Sequence, residues 1–152
     1  MLHVPVLRRG VPYRSLDRLR TPHYQTRESF VEISQANAGL IRKDLQGQPA
    51  AKRVLDGYTV SELIAICRSG AEHFLHDALP IGDDPQTPED YVRQVSATTG
   101  MPHALVRRNM SKIYGVMAEK ENVLNGLTRR LDLHVLDSGC GMGHGAPVRF
   151  FP

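Results

Sequence analysis

No apolar run in this chain approaches the roughly 20 residues that a helix needs to cross a bilayer, so a membrane-spanning helix is excluded and a soluble protein is expected. The opening MLHVPVLRRG is apolar only briefly and is broken by Pro5; it does not read as a secretory leader, and a cytoplasmic home is the simplest expectation. Cysteine is scarce. Cys67 and Cys140 lack the paired spacing of a zinc site or a disulfide framework and read as reduced thiols. A large charge of one sign is also missing: +3 is modest for a nucleic-acid binder of 152 residues. Finally, His3, His23, His103, His134 and His144 are scattered, and none sits beside a Ser or Cys and an acid in the order of a nucleophile and its base. Catalytic, cofactor-binding and metal-ligating residues are therefore expected to be absent from this chain on its own.

What is present is a globular balance, with 41% hydrophobic and 23% charged residues, enough for one domain or one piece of a domain. Arg8, Arg9, Arg14, Arg18, Arg20 and Arg27 crowd the first thirty residues, with Tyr13 and Tyr24 among them. Such a basic and aromatic arm can grip phosphates, but without a run of adjacent cations it is expected to lie along the protein or along a neighbouring subunit.

The expected fold class is α+β, with a helical layer, a short N-terminal hairpin and C-terminal strands. Residues 1–34 read as an extended arm with short strands, 35–130 as a helical region, and 131–152 as strand, glycine-rich turn and strand. Leu2 to Leu7 and Val11 to Tyr13 can pair across Gly10, Ser15 to Glu28 has no clear period, and Ser29 to Ser34 alternates as a strand. Helices are expected near residues 36–45, 59–79, 88–98 and 102–118. The second is the sharpest: Thr59 and Glu62 have the spacing of a capping box, and Val60, Leu63, Ile64, Cys67, Ala71, Phe74, Leu75 and Ala78 share one face that needs a partner. Thr87, Pro88, Glu89 and Asp90 open the third helix, and Gly100 separates it from a fourth carrying Leu105, Val106, Met110, Ile113, Val116 and Met117 in one stripe.

That last pair, with Arg107, Arg108, Ser111 and Lys112 facing away from the stripe, has the outline of a helix-turn-helix reader. Packing is the more common use of such a pair, and no nucleic-acid partner is expected. His73, His76 and Asp77 are spaced to share a ligand on a helix, but no further ligand completes a set, and a solvated face is the expectation. Leu131, Leu133 and Val135 then alternate with Asp132 and His134 as a strand, and Gly139, Gly141, Gly143 and Gly145 follow.

The stretch VLDSGCGMG, residues 135–143, is similar to the first motif of methyltransferases that use S-adenosylmethionine, and Gly141 to Ala146 fits G-x-G-x-x-A for a dinucleotide. Either use needs a strand before the glycines and a helix straight after them. Here Ala146 and Pro147 lead into VRFF, which reads as a strand, so a glycine-rich hairpin is the expectation. An apolar strand ending at Phe151 and Pro152 is also expected to lead into a further unit, making the chain an incomplete piece of a larger α/β enzyme.

Three segments carry a family resemblance. SFVEISQANAGLIRKDL, VSELIAICRSGAEHFL and VSATTGMPHALVRRNMSKI, together with the closing GAPVRFFP, resemble the N-terminal region of the aldehyde dehydrogenase superfamily, closest to its acyl-CoA reductase branch. The resemblance implies an NAD(P)-dependent exchange between an aldehyde and an acid or thioester through a cysteine thiohemiacetal. It implies that the nucleophilic cysteine, the general-base glutamate and the dinucleotide contacts lie beyond residue 152, so neither Cys67 nor Cys140 takes that role. The implied partners are the remainder of its own polypeptide and, through the N-terminal arm, a second copy. A methyltransferase segment and a basic helical binding module are the alternatives.

Overall fold

The computed structural model describes residues 1–149, and the expected strand end at Phe150, Phe151 and Pro152 lies outside them. The fold is α+β. Its N-terminal part is built on β5 (Ser29–Ser34), where the expected alternation places Val31 inward. β1 (Leu2–Val4) joins β5 in parallel and β4 (Arg18–Pro22) joins it antiparallel, in the order β1-β5-β4. Pro5 ends β1, and the expected hairpin is narrower than residues 2–13: β2 (Val6–Arg8) and β3 (Val11–Tyr13) pair across Arg9 and Gly10. Residues 15–28 differ from the extended arm read in the sequence, because β4 has an edge of β5 to pair with. Arg18 and Arg20 then bind the buried carboxylate of Glu32 at 2.6 and 3.3 Å. An alternating pattern was never needed on β4, whose residues are mostly exposed.

α1 (Ala38–Leu45) begins at Asn37, whose side chain accepts from the Leu40 amide. α2 (Gln48–Leu55) follows with Pro49 in its first turn and no buried residue; Ala50, Ala51, Val54 and Leu55 share one short face, and Val54 and Leu55 are left exposed on it. α3 (Val60–His76) has the expected capping box, with the Glu62 amide donating to Thr59 and the Thr59 amide to Glu62. It stops at His76 rather than residue 79, because Leu79–Ile81 (β6) turns back at Gly82 and Asp83 to pair with Asp84–Gln86 (β7). The segment between α3 and α4 is thus a hairpin.

α4 (Pro88–Thr99) repeats the capping logic with Thr87 and Asp90 and ends at Gly100 in the left-handed region, φ 74°. α5 (His103–Ala118) returns across it, and Val92, Val106 and Met110 form the buried core with Phe74, Leu75, Tyr91 and Val95 around them. The face of α3 therefore finds the partner expected for it, and Phe74 meets Tyr91 edge to face at 5.6 Å. Leu105 and Val116, placed on the same stripe from sequence, lie exposed. α6 (Lys120–Leu127) follows α5 after the single residue Glu119.

Leu131 to Val135 is not the strand its alternation suggests. Arg129 and Arg130 take positive φ, Asp132 accepts from the His134 amide, and the Val135 amide closes a turn onto the Asp132 carbonyl at 3.0 Å. α7 (His134–Ser138) follows, then the hairpin of β8 (Cys140–Gly143) and β9 (Ala146–Arg149). Among the described residues no helix is long and apolar enough to cross a membrane.

Candidate functional site

The glycine run was the strongest chemical signal in the sequence, and its geometry is set by packing. Val135 is 1% exposed, and a Cβ on Gly141 would overlap its Cγ2; one on Gly143 would overlap Leu131 Cδ1. These two glycines make room for apolar side chains arriving from residues 131–135. No strand feeds the run and no helix leaves it: α7 precedes it, and β8 and β9 form an antiparallel pair with Gly143 opposite Ala146. Free helix-terminal amides, which would face a phosphate or a carboxylate, are not supplied by that arrangement. Asp137 has a different task, accepting at 2.8 Å from the amide of Val60 in the first turn of α3.

The other candidates disperse. His73 Nδ1 lies 2.6 Å from Asp77, and His76 lies 3.6 Å from Glu72, four exposed side chains paired along one helix face. Tyr114 donates to Glu72 at 2.7 Å, and this bond raises the Tyr114 hydroxyl pKa above its ordinary value. Among the described residues no His, Cys, Asp and Glu side chains gather in threes around a metal-sized gap. Cys67 is half-buried on α3; Cys140 is exposed in the paired strand β8. On the helix-turn-helix pair, Arg107 gives both its contacts to Glu89 at 2.8 Å, which ties the outer faces of α5 and α4 together.

The arginine-rich arm behaves as expected of one that lies along its own protein. Arg8 donates twice to Asp44, at 2.8 and 2.5 Å, Arg14 pairs with Asp83, and Arg18 and Arg20 share Glu32. Arg8 holds the Asp44 carboxyl below its ordinary pKa, and Arg18 does the same for Glu32. Arg27 lies over the Tyr24 ring at 5.9 Å. A cleft of about 510 Å³ opens where β2 and β3 face the junction of α1 and α2. Sequence reasoning did not assemble it, since its walls come from residues more than thirty positions apart.

Comparison with protein-family models, curated proteins and solved structures found no match to this chain.

Proposed function

We propose that this chain is the N-terminal, non-catalytic part of an NAD(P)-dependent aldehyde dehydrogenase or acyl-CoA reductase-like oxidoreductase, in which it packs against the remaining polypeptide. The observation that supports this reading is apolar surface left uncovered on the segments that resemble the family. Ile41 (49% exposed) and Leu45 (58%) stand out on α1, and Leu105 (50%) on α5. Isolated exposed apolar residues are ordinary, but α1 and α2 bury none of their residues at all. Helices of 8 residues are marginal in water without an apolar face to dock. Covering that face is the role assigned here to the remainder of the polypeptide, which in this reading also supplies the nucleophilic cysteine, the glutamate and the NAD(P) contacts. Exposed Leu7, Val11, Leu16 and Leu19 in the N-terminal arm are the surface for a second copy in the cytoplasm.

The test is NAD(P)H formation from an aldehyde and coenzyme A by the longer polypeptide, by the same polypeptide without residues 1–152, and by this chain alone. Turnover is expected from the first only, together with slowed amide exchange over α1 and α5. Turnover by this chain alone, or a longer polypeptide that transfers methyl groups and no hydride, refutes it.

A further inference from the structure

We propose that the cleft between β2, β3 and the α1–α2 junction binds a nucleoside polyphosphate, with its phosphates against Arg9 and Lys43 and its ring system against Tyr13. The proposal does not rest on the oxidoreductase reading.

The charge in this cleft is unbalanced. Arg8, Arg9 and Lys43 line it with a single carboxylate, Asp44. That carboxylate is already held by two hydrogen bonds from Arg8. Arg9 and Lys43 form no ion pair among the described residues, although four of the other five arginines of the arm contact an Asp or Glu. Two cations are thus left facing one concave surface, where a dianion gains charge-assisted hydrogen bonds.

The backbone holds Arg9 there against its preference. Arg9 and Gly10 form the two-residue loop between β2 and β3, with φ of 53° and 79°. A loop with two positive φ values favours Asn-Gly or Asp-Gly; an arginine in its first position adds strain, the kind of cost that persists where a side chain has a task. Its guanidinium reaches Gly47, and a Cβ at Gly47 would overlap Arg9 Nη2. Gly47 is also the N-cap of α2, and it provides no side chain to cap the first amides. The positive end of that helix therefore adds to the same cleft. Tyr13 supplies the flat apolar element: its residue is 39% exposed, and Arg8 sits 5.1 Å from the ring centroid, fixing the ring in place. A base can stack on the exposed face of such a ring.

Calorimetric titration of the 152-residue chain with ADP, adenosine and pyrophosphate tests this. ADP is expected to bind, pyrophosphate at least tenfold more weakly, and adenosine not measurably at millimolar concentration. Arg9→Asn is the informative variant, because Asn suits the loop: it should hold or raise the melting temperature while weakening ADP at least tenfold. Lys43→Gln should weaken ADP similarly with an unchanged circular dichroism spectrum, and Tyr13→Leu should reduce ADP to the affinity of pyrophosphate. Absence of ADP binding, an ADP affinity unchanged from the native chain in Arg9→Asn or in Lys43→Gln, or pyrophosphate binding as tightly as ADP each overturns the assignment.

Discussion

Gly141 shows how a residue that looks like part of a cofactor loop can be required by packing alone. Its missing side chain is the space in which Val135 sits, and Val135 is β-branched, with little rotamer freedom to move aside. Gly141→Ala should therefore destabilise the protein by about 1–3 kcal/mol, the usual range for overpacking. Adding Val135→Ala should recover part of that loss in denaturant titrations, whereas a glycine needed only for a ligand would leave stability unchanged. Asp90 carries a second residue-level expectation. Hydrogen bonds from the Thr87 hydroxyl and amide, with Arg93 adding to them, lower its pKa from 3.8 to about 2. A carboxylate with a lower pKa in the folded state contributes stability above its unfolded pKa and loses it as pH falls through the folded one. The melting temperature of Asp90→Ala should lie below that of the native protein at pH 7, and the gap should close between pH 4 and pH 2. A gap that persists unchanged at pH 2 would show that the carboxylate charge is not what matters.

Helix starts were legible wherever the determining groups lie within one turn, as in Thr59 with Glu62 and Thr87 with Asp90. β5 was legible from Val31 and Ile33 alternating with polar neighbours, although Glu32 and Ser34 on the other face are buried as well. Leu131 to Val135 alternates too, and there the period misled, since a tight turn stapled by Asp132 can bury Val135 as well as a strand can, with Leu131 half-buried. The N-terminus of α3 adds a feature no local reading reaches. Its Val60 amide is satisfied by Asp137, 77 positions away, so α7 completes the cap of a helix begun by Thr59. Loss of a capping side chain typically costs about 0.5–2 kcal/mol. Asp137→Ala should fall in that range and should speed amide exchange at Val60 and over α7 together, while leaving α4 and α5 protected. Faster exchange confined to α7 would mean that the bond to Val60 contributes nothing to α3. The candidate site was least legible of all, because Arg9 and Gly47 become neighbours only after β2, β3 and the two short helices are in place.

Across the molecule, the buried side chains are divided. Val92, Val106 and Met110 make one cluster between α3, α4 and α5, while Val31, Glu32 and Ser34 are buried in the three-stranded sheet. What ties the two regions is largely polar: the Tyr24 amide donates to the Ala97 carbonyl at 2.6 Å, and Arg14 pairs with Asp83 across an exposed surface. Exposed ion pairs contribute roughly 0–1 kcal/mol, and one hydrogen bond about as much, whereas a shared apolar core would couple the regions by several kcal/mol. The sheet and helices α1 and α2 should therefore open before the helical core does, as a separate cooperative unit. Hydrogen exchange followed by mass spectrometry through a urea series should show residues 1–55 losing protection at concentrations where 88–118 retain it. Met110→Ala, which should cost about 2–5 kcal/mol in the helical core, should lower the second transition and leave the first in place. Simultaneous loss of protection in both stretches, with both shifted by Met110→Ala, would mean that the polar ties couple the two regions as firmly as a common core.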